Sequence, residues 1–354
     1  MDSPSRRGRR APSCARLSPF VPLLALLVGA CVAPSRPVPP PAPVKPAAPA
    51  VGRSIVICGE RHDLEAPVVL WTDKGGYDAY STELRFPDSP PKEPPQGLRY
   101  QPGRKLPLEP GSKETRLVAL AGAPRCLDEV REAIDQFVVH YDVCGTSAQC
   151  FKILHDRRKL SVHFLLDIDG VLYQTMDVSD TAWHARQANP RSIGIEIANI
   201  GAYRTSDTSV LDAWYPSDEH GPRIELPKWM EGGGVRTPGF VGRPARPERV
   251  VGAVHGVEYA MHDFTPQQYE TLAKLLSVLC RELPRLAPDA PRDADGRVRM
   301  DALSAEEFAA FSGIVGHHHL TTDKQDPGPA FDWERVLAEV QTRLGRPLAT
   351  QPKP

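Results

Sequence analysis

The chain has no surplus of either charge. Its 43 Lys and Arg stand against 44 Asp and Glu, a net charge of −1. That balance gives no electrostatic reason for a nucleic acid or an acidic polymer to bind. Long apolar runs are also missing. The longest clear stretch, Phe20 to Ala30, is eleven residues, where a membrane-spanning helix needs roughly 20. No internal repeat is visible. Hydrophobic residues are not scarce: 41% hydrophobic and 25% charged over 354 residues is a composition that buries a real core and excludes wholesale disorder. The length permits one large or two ordinary domains. Proline is the abundant residue. There are 38, and eight of them fall between Pro34 and Pro49.

The N-terminus reads as a targeting segment. Arg6, Arg7, Arg9, Arg10 and Arg16 precede the apolar stretch, in the order of a basic n-region and an h-region. Val28-Gly29-Ala30-Cys31 then resembles the bacterial lipobox, in which small residues precede a cysteine that is lipidated and becomes the mature N-terminus. The alternative is an ordinary signal peptide cleaved near Ala30 or Ala33. Residue 32 is Val, not Asp, which by resemblance to lipoprotein sorting rules favours the outer membrane. From Pro34 to Ala50 the Pro/Ala sequence predicts an extended spacer. Export places the chain in an oxidising compartment, so Cys144 and Cys150, around Gly145-Thr146-Ser147, read as a local disulfide. Cys58 and Cys126 are candidates for a second bridge, and Cys280 for a buried thiol.

Strands are predicted at Ile55–Ile57, Val68–Trp71, Phe137–Val139 (ending at His140), Ser192–Ala198 and Ile314–Gly316. A hairpin is predicted from Ser161–Ile168 and Val171–Met176 about an Asp169-Gly170 turn. Leu127–Gln136 reads as a helix. Thr265-Pro266-Gln267-Gln268 opens another with a capping box, its stripe being Tyr269, Leu272, Leu275, Leu276 and Leu279. Ser304 with Glu307 caps a short helix, and Asp332 caps a last one carrying Val336, Leu337, Val340 and Leu344. Residues from about Gly75 to Pro110 read as irregular, and Tyr203 to Val250 as a long polar insertion, functional or mobile. Alternating helices and strands with a hairpin give an α/β fold: a mixed central β-sheet flanked by helices.

Two clusters carry chemistry. His140 ends an apolar strand, and His317-His318-His319 is followed by Asp326-Pro327-Gly328. Two histidines and a carboxylate on short loops at sheet edges form a three-ligand zinc set with a fourth position open. Such a position holds a water whose pKa the metal lowers toward ~7. Alone, His140 would more often be structural.

The motifs between the clusters occur in one order: Val139-His140, Ser161–Gly170 (SVHFLLDIDG), Ala182-Trp183-His184-Ala185, Ser192–Glu196 (SIGIE) and Asp323–Trp333 (DKQDPGPAFDW). This series resembles the type 2 N-acetylmuramoyl-L-alanine amidases, whose fold is shared with animal peptidoglycan recognition proteins. The resemblance runs from about Leu127 to Leu344. It implies zinc bound by His140, one histidine of 317–319, and Asp326. It also implies hydrolysis of the amide between N-acetylmuramic acid and the L-alanine of the stem peptide in peptidoglycan. The metal would polarise the carbonyl and supply hydroxide. Glu196 would move the proton and Lys324 would stabilise the oxyanion. His184, with Trp183, resembles a substrate-contacting position, and Asn199 is a further groove candidate. His163 reads as structural. The Cys144–Cys150 pair looks like the local disulfide of the recognition proteins. Among the three histidines, His317 is favoured because it follows Gly316 and shares a strand face with Val315.

The division expected is a signal peptide over 1–30, lipidated Cys31 and linker over 31–52, an irregular N-terminal extension over 53–120 packing on the catalytic domain, and a single zinc amidase domain over 121–348 with an insertion at about 203–250. Its partners would be peptidoglycan or muropeptides and, through the lipid, a membrane, with the domain in the periplasm. Two other functions compete. One is a non-catalytic muropeptide-binding protein of the same fold. The other is a cysteine hydrolase using Cys144 or Cys150, which needs a free thiolate near a histidine base.

Overall fold

Alternation along buried strands sets the architecture. The computed structural model describes residues 51–108, 114–118 and 123–345, all within the unit Ala47–Pro354. The expected signal peptide, Cys31 and nearly all of the linker lie outside the described residues. Seven strands form the central sheet: β1 (Gly52–Ile57), β2 (Glu60–Leu70), β3 (Gln136–Tyr141), β4 (Phe164–Leu166), β5 (Leu172–Gln174), β6 (Ser192–Ile197) and β7 (Gly313–Gly316). Their order is β1-β2-β5-β4-β6-β3-β7. The β1–β2 and β4–β5 pairs are antiparallel, and the others parallel. The sheet is therefore mixed, as expected.

Helices cover both faces. Against one pack α1 (Cys126–Ala133), α4 (Pro266–Glu282) and α6 (Trp333–Arg343), burying Phe137, Val139, Ile193, Ile195, Ile197 and Ile314. The predicted α4 stripe, Tyr269, Leu272, Leu275, Leu276 and Leu279, is buried in full; each such leucine contributes roughly 1.5–3 kcal/mol. Both halves of its capping box form: Gln268 N–H donates to Thr265 Oγ1 at 3.2 Å, and Thr265 N–H to Gln268 Oε1 at 2.9 Å. Thr265 Oγ1 also donates to Ile168 O, which fixes α4 to the β4–β5 turn. On the opposite face α2 (Ser147–Phe151) packs Phe151 and Cys150 against Val69, Leu165 and Tyr173. Ser304–Glu307 caps α5 (Ala305–Ala310), and Asp332 caps α6.

Three expectations need correction. Residues 52–70 are not an irregular extension, because β1 and β2 belong to the central sheet and β2 pairs with β5 (Val68↔Leu172). Only the stretch that follows is mostly irregular. The β4 and β5 strands are shorter than predicted, since Ser161 and His163 spend their polar groups on loops. Of the two expected disulfides one forms and the other does not. Cys58 and Cys126 are bridged, Cα to Cα 5.7 Å, whereas Cys144 and Cys150 are thiols. Cys150 is buried on α2 and its thiol hydrogen-bonds with that of Cys144, so the pair is adjacent but not joined.

The 203–250 insertion is anchored. It contains the helix α3 (Ser209–Trp214), whose Trp214 ring covers Gly145, where a Cβ would lie 2.4 Å from the ring. Thr237 donates through N and Oγ1 to Asp169 Oδ2 at 2.9 and 2.8 Å. No described helix is long and apolar enough to cross a membrane.

Candidate metal centre

The site is assembled at the C-terminal ends of three neighbouring parallel strands. Phe137, Val139 and Tyr141 of β3 enter the main core and Val138 the opposite face, so alternation puts His140 on that opposite face. On β6 the same alternation buries Ile193, Ile195 and Ile197 and leaves Glu196 on the other side. Register then does the positioning, because Glu196 pairs directly with His140. On β7, Gly316 pairs with Val139, so His317 arrives level with His140.

The three expected ligands meet. His140 Nδ1 lies 3.0 Å from His317 Nδ1 and 2.8 Å from Asp326 Oδ2, and His317 Nδ1 is 3.1 Å from Asp326 Oδ2. Among the described residues this is the one group of His, Cys, Asp or Glu with converging ligand atoms. The donor chemistry suits zinc. Burial, then the neighbouring His317, pushes His140 down to about 4, so its imidazole is neutral, the form that binds metal. Burial alone would raise the Asp326 carboxyl, but the contacts with His317 and His140 hold it well below the ordinary range. Two imidazoles and an ionised carboxylate are a catalytic-zinc donor set with room for a fourth ligand.

His318 and His319 serve another purpose. Residues 317–319 leave the strand in a 3-10 turn, so alternation stops at His317. His318 accompanies Asp326 through backbone and ring contacts with its carbonyl. His319 Nδ1 accepts the Gly316 N–H at 2.9 Å, and its Nε2 lies 2.7 Å from Arg299 O. Behind the Asp323–Asp326 loop, His255 Nε2 is 2.8 Å from Lys324 O.

A cleft of about 410 Å³ opens over the cluster and is lined by Glu196, Lys324, Trp183 and His184. Burial, then the charges of Asp326 and Asp142, raises the Glu196 carboxyl well above its usual value. His184 is more constrained than its expected substrate role implies: its Nδ1 lies 3.1 Å from His140 Nε2. Asn199 does not line the cleft. It is buried, accepting from Gly201 N–H and donating to Asp142 Oδ1 and His262 O, because the chain turns inward once β6 ends. His163 is structural as expected, with Nδ1 accepting the Gly194 N–H. Burial and the contact with Cys144 push the Cys150 thiol up, away from the thiolate a nucleophile needs.

Some groups escaped sequence reasoning. Asp142 lines the cleft, raised by burial to about 7 while N–H groups of Cys144, Asn199 and Gly145 pull it down. Its place two residues after His140, one past the end of β3, was the available clue. Arg158 and Arg186 also line the cleft, with no motif to announce them.

Residues 130–223 match the family model for N-acetylmuramoyl-L-alanine amidase. The fold is that of the type 2 N-acetylmuramoyl-L-alanine amidases. The match takes in His140, His184 and Glu196 and stops short of His317, Lys324 and Asp326, which the amidase fold nevertheless brings to the same cleft. Solved structures similar to this chain include the amidase AmiD from E. coli in complex with anhydro-N-acetylmuramic acid-L-Ala-D-gamma-Glu-L-Lys. It is 19% identical, covering 66% of this chain and 65% of that one, with a TM-score of 0.34. AmpDh3 from Pseudomonas aeruginosa, with anhydromuramic pentapeptide, is 18% identical over 58% of this chain and 59% of that one, TM-score 0.32. The Drosophila peptidoglycan recognition protein SA is 24% identical over 23% of this chain and 55% of that one, TM-score 0.17. The chain thus spans somewhat under two thirds of the length of either bacterial amidase. No curated protein sequence matches it.

Proposed function

We propose that this amidase-fold protein is a zinc-dependent N-acetylmuramoyl-L-alanine amidase, cutting the amide between N-acetylmuramic acid and the L-alanine of the stem peptide in peptidoglycan. The observation that carries the reading is the convergence of His140, His317 and Asp326 beside Glu196 on the floor of one cleft. A zinc ion held by those three groups would supply Lewis acidity toward the scissile carbonyl and the attacking water.

The chain's own residues do the rest. Glu196 takes the proton from water as its oxygen bonds to the carbonyl carbon. Its raised pKa lets it hold that proton and then hand it to the amine nitrogen as the carbon–nitrogen bond breaks. Products are the lactyl carboxylate and a free L-alanine amino terminus. Lys324 lies beside Asp326 in the cleft wall, its ammonium available to the negative charge that develops on the carbonyl oxygen. Trp183 offers a ring to the saccharide or the peptide. Arg158, Arg186 and Lys324 line the cleft, and none makes a side-chain hydrogen bond or ion pair among the described residues. Three uncommitted cations suit a substrate carrying carboxylates.

Under this reading the protein acts in the cell envelope, tethered as an outer-membrane lipoprotein through Cys31 with its domain in the periplasm; Cys31→Ala should then move it out of the membrane fraction. The deciding experiment is mass analysis of muropeptides after digestion of sacculi, with and without a chelator. Free L-alanine amino termini that vanish on chelation and return with zinc support the proposal. Binding without cleavage points to a muropeptide-binding protein, and glycan or peptide–peptide cuts to a different hydrolase.

A further inference from the structure

Arg104 is the most thoroughly buried cation among the described residues, with no exposed surface. It lies before the region that matches the amidase family. Among the described residues no carboxylate touches its guanidinium, and burial lowers its pKa to about 9, against the pull of Asp180 and Asp177. A charge held this deep without a contacting counter-ion is expensive, so what it organises is informative.

It holds both ends of one loop. Nε and Nη2 donate to Val178 O at 3.2 and 2.7 Å, while Nη1 donates to Asn189 O at 3.1 Å and Ser192 O at 2.9 Å. Residues 178 and 192 bracket the segment that carries His184. Neighbouring residues reinforce the grip. Tyr100 and Gln101 pair with Ala182 and Thr181, and Gly103 N–H donates to Asp180 Oδ1 at 2.6 Å.

Within the loop the connection continues to the metal centre. Asn189 Oδ1 accepts the N–H groups of His184 and Ala185 at 3.1 and 2.7 Å. The His184 ring packs against Gly194 of β6, where an added Cβ would stand 2.5 Å from it. From that seat Nδ1 reaches His140 Nε2 at 3.1 Å, and Nε2 lies 3.3 Å from Ser192 Oγ. A ligand histidine is oriented by whatever holds its second nitrogen. Here that partner is His184, and Arg104 holds the loop that presents it.

We propose that Arg104 is a positioning residue of the metal centre, acting through the 178–192 loop and His184 on His140. The inference rests on the zinc reading above. It makes residues 100–104 a working part of the catalytic domain.

The test is a double-mutant cycle on zinc affinity, read by competition with a chromophoric chelator on the full-length protein, with circular dichroism as a check on folding. His184→Gln should weaken zinc binding by about 10–100-fold, the usual cost of losing such a partner. Arg104→Met should weaken it by about tenfold, and Arg104→Lys should not restore it, since an ammonium cannot span both loop ends. On the His184→Gln background, Arg104→Met should add less than about twofold. Unchanged affinity in Arg104→Met with only a lower melting temperature would overturn the proposal, as would two effects that simply multiply. Should Arg104→Met fail to fold, Asn189→Ala takes its place in the same cycle and is judged by the same two outcomes. If the wild-type protein binds no zinc, the metal reading and this inference fall together.

Discussion

Glutamine at position 196 keeps the length and shape of the side chain and removes its ability to take a proton. Glu196 shares its register position with His140 but is not one of the three converging ligands, so Glu196→Gln separates proton transfer from metal binding. Zinc content should be unchanged. Turnover should fall by roughly 10²–10⁴, which at 1.36 kcal/mol per decade is about 2.7–5.4 kcal/mol of barrier. Stability should move the other way. Burial, then Asp326 and Asp142, raises the Glu196 carboxyl above its ordinary 4.5. Between 4.5 and that raised value the folded protein keeps a proton that the unfolded chain releases, so wild-type stability falls as pH rises through the window. Glutamine does not ionise and escapes that loss. The metal-free variant should therefore match the metal-free wild type in acid and exceed it at higher pH. Metal analysis, steady-state kinetics on a muropeptide and melting curves of chelated protein across this range are the measurements. A variant that turns over near the wild-type rate would refute the role assigned to Glu196. One that loses zinc would show Glu196 to be a ligand.

The other expectations follow from the same geometry. His317→Ala should lose zinc, whereas His318→Ala and His319→Ala should keep it and melt lower, since each gives up contacts with Arg299 O; metal analysis of the three proteins decides. Breaking the bridge with Cys58→Ala opens a closure across 68 residues and should cost about 4 kcal/mol by the loop-entropy relation. Denaturant unfolding without reductant should show that loss, and a reductant should impose the same loss on the wild type; equal midpoints would remove the bridge from the stability account. Gly145→Ala meets both a φ of +76° and a Cβ position 2.4 Å from Trp214, and overpacking of this kind costs about 1–3 kcal/mol. The melting temperature should drop and the 203–250 insertion should become more sensitive to proteolysis; an unaffected digestion pattern would mean that Trp214 does not hold it.

Much of the fold was legible because local patterns coincide with tertiary ones. The β3 and β6 runs alternate about residues that end in one core, so period alone assigned their faces. The caps at Thr265, Ser304 and Asp332 were legible because one side chain satisfies a helix end wherever the helix packs. The β1–β2 pair shows the limit. Ile55–Ile57 and Val68–Trp71 read correctly as strands, but nothing local says that Val68 pairs with Leu172 across a hundred residues. Hence two strands of the central sheet looked like part of an extension. The Cys144–Cys150 expectation failed for a similar reason. Five intervening residues suggest a bridge, yet pairing depends on where α2 places Cys150, whereas Cys58 and Cys126, 68 residues apart, join as expected.

The site divides along the same line. His140, Glu196 and His317 were legible because strand alternation and parallel register bring them level, and Asp326 because a short loop has few places to go. Asn199 was misread since it lies just past the end of β6, where alternation no longer constrains it. Arg104 left no trace in the sequence at all. An arginine in a Pro/Gly-rich stretch is ordinary until three carbonyls from residues 178–192 close around it. His140 and Glu196 sit on strands and follow alternation, while Asp326, Arg104 and Asn189 are placed by contact geometry rather than by a local repeat. Substitutions at Arg104, Asn189 and Gly194, which sequence patterns would pass as tolerable, are therefore expected to reach the metal centre through His184. Changes at the exposed ends of regular elements equally close in sequence to the ligands should not.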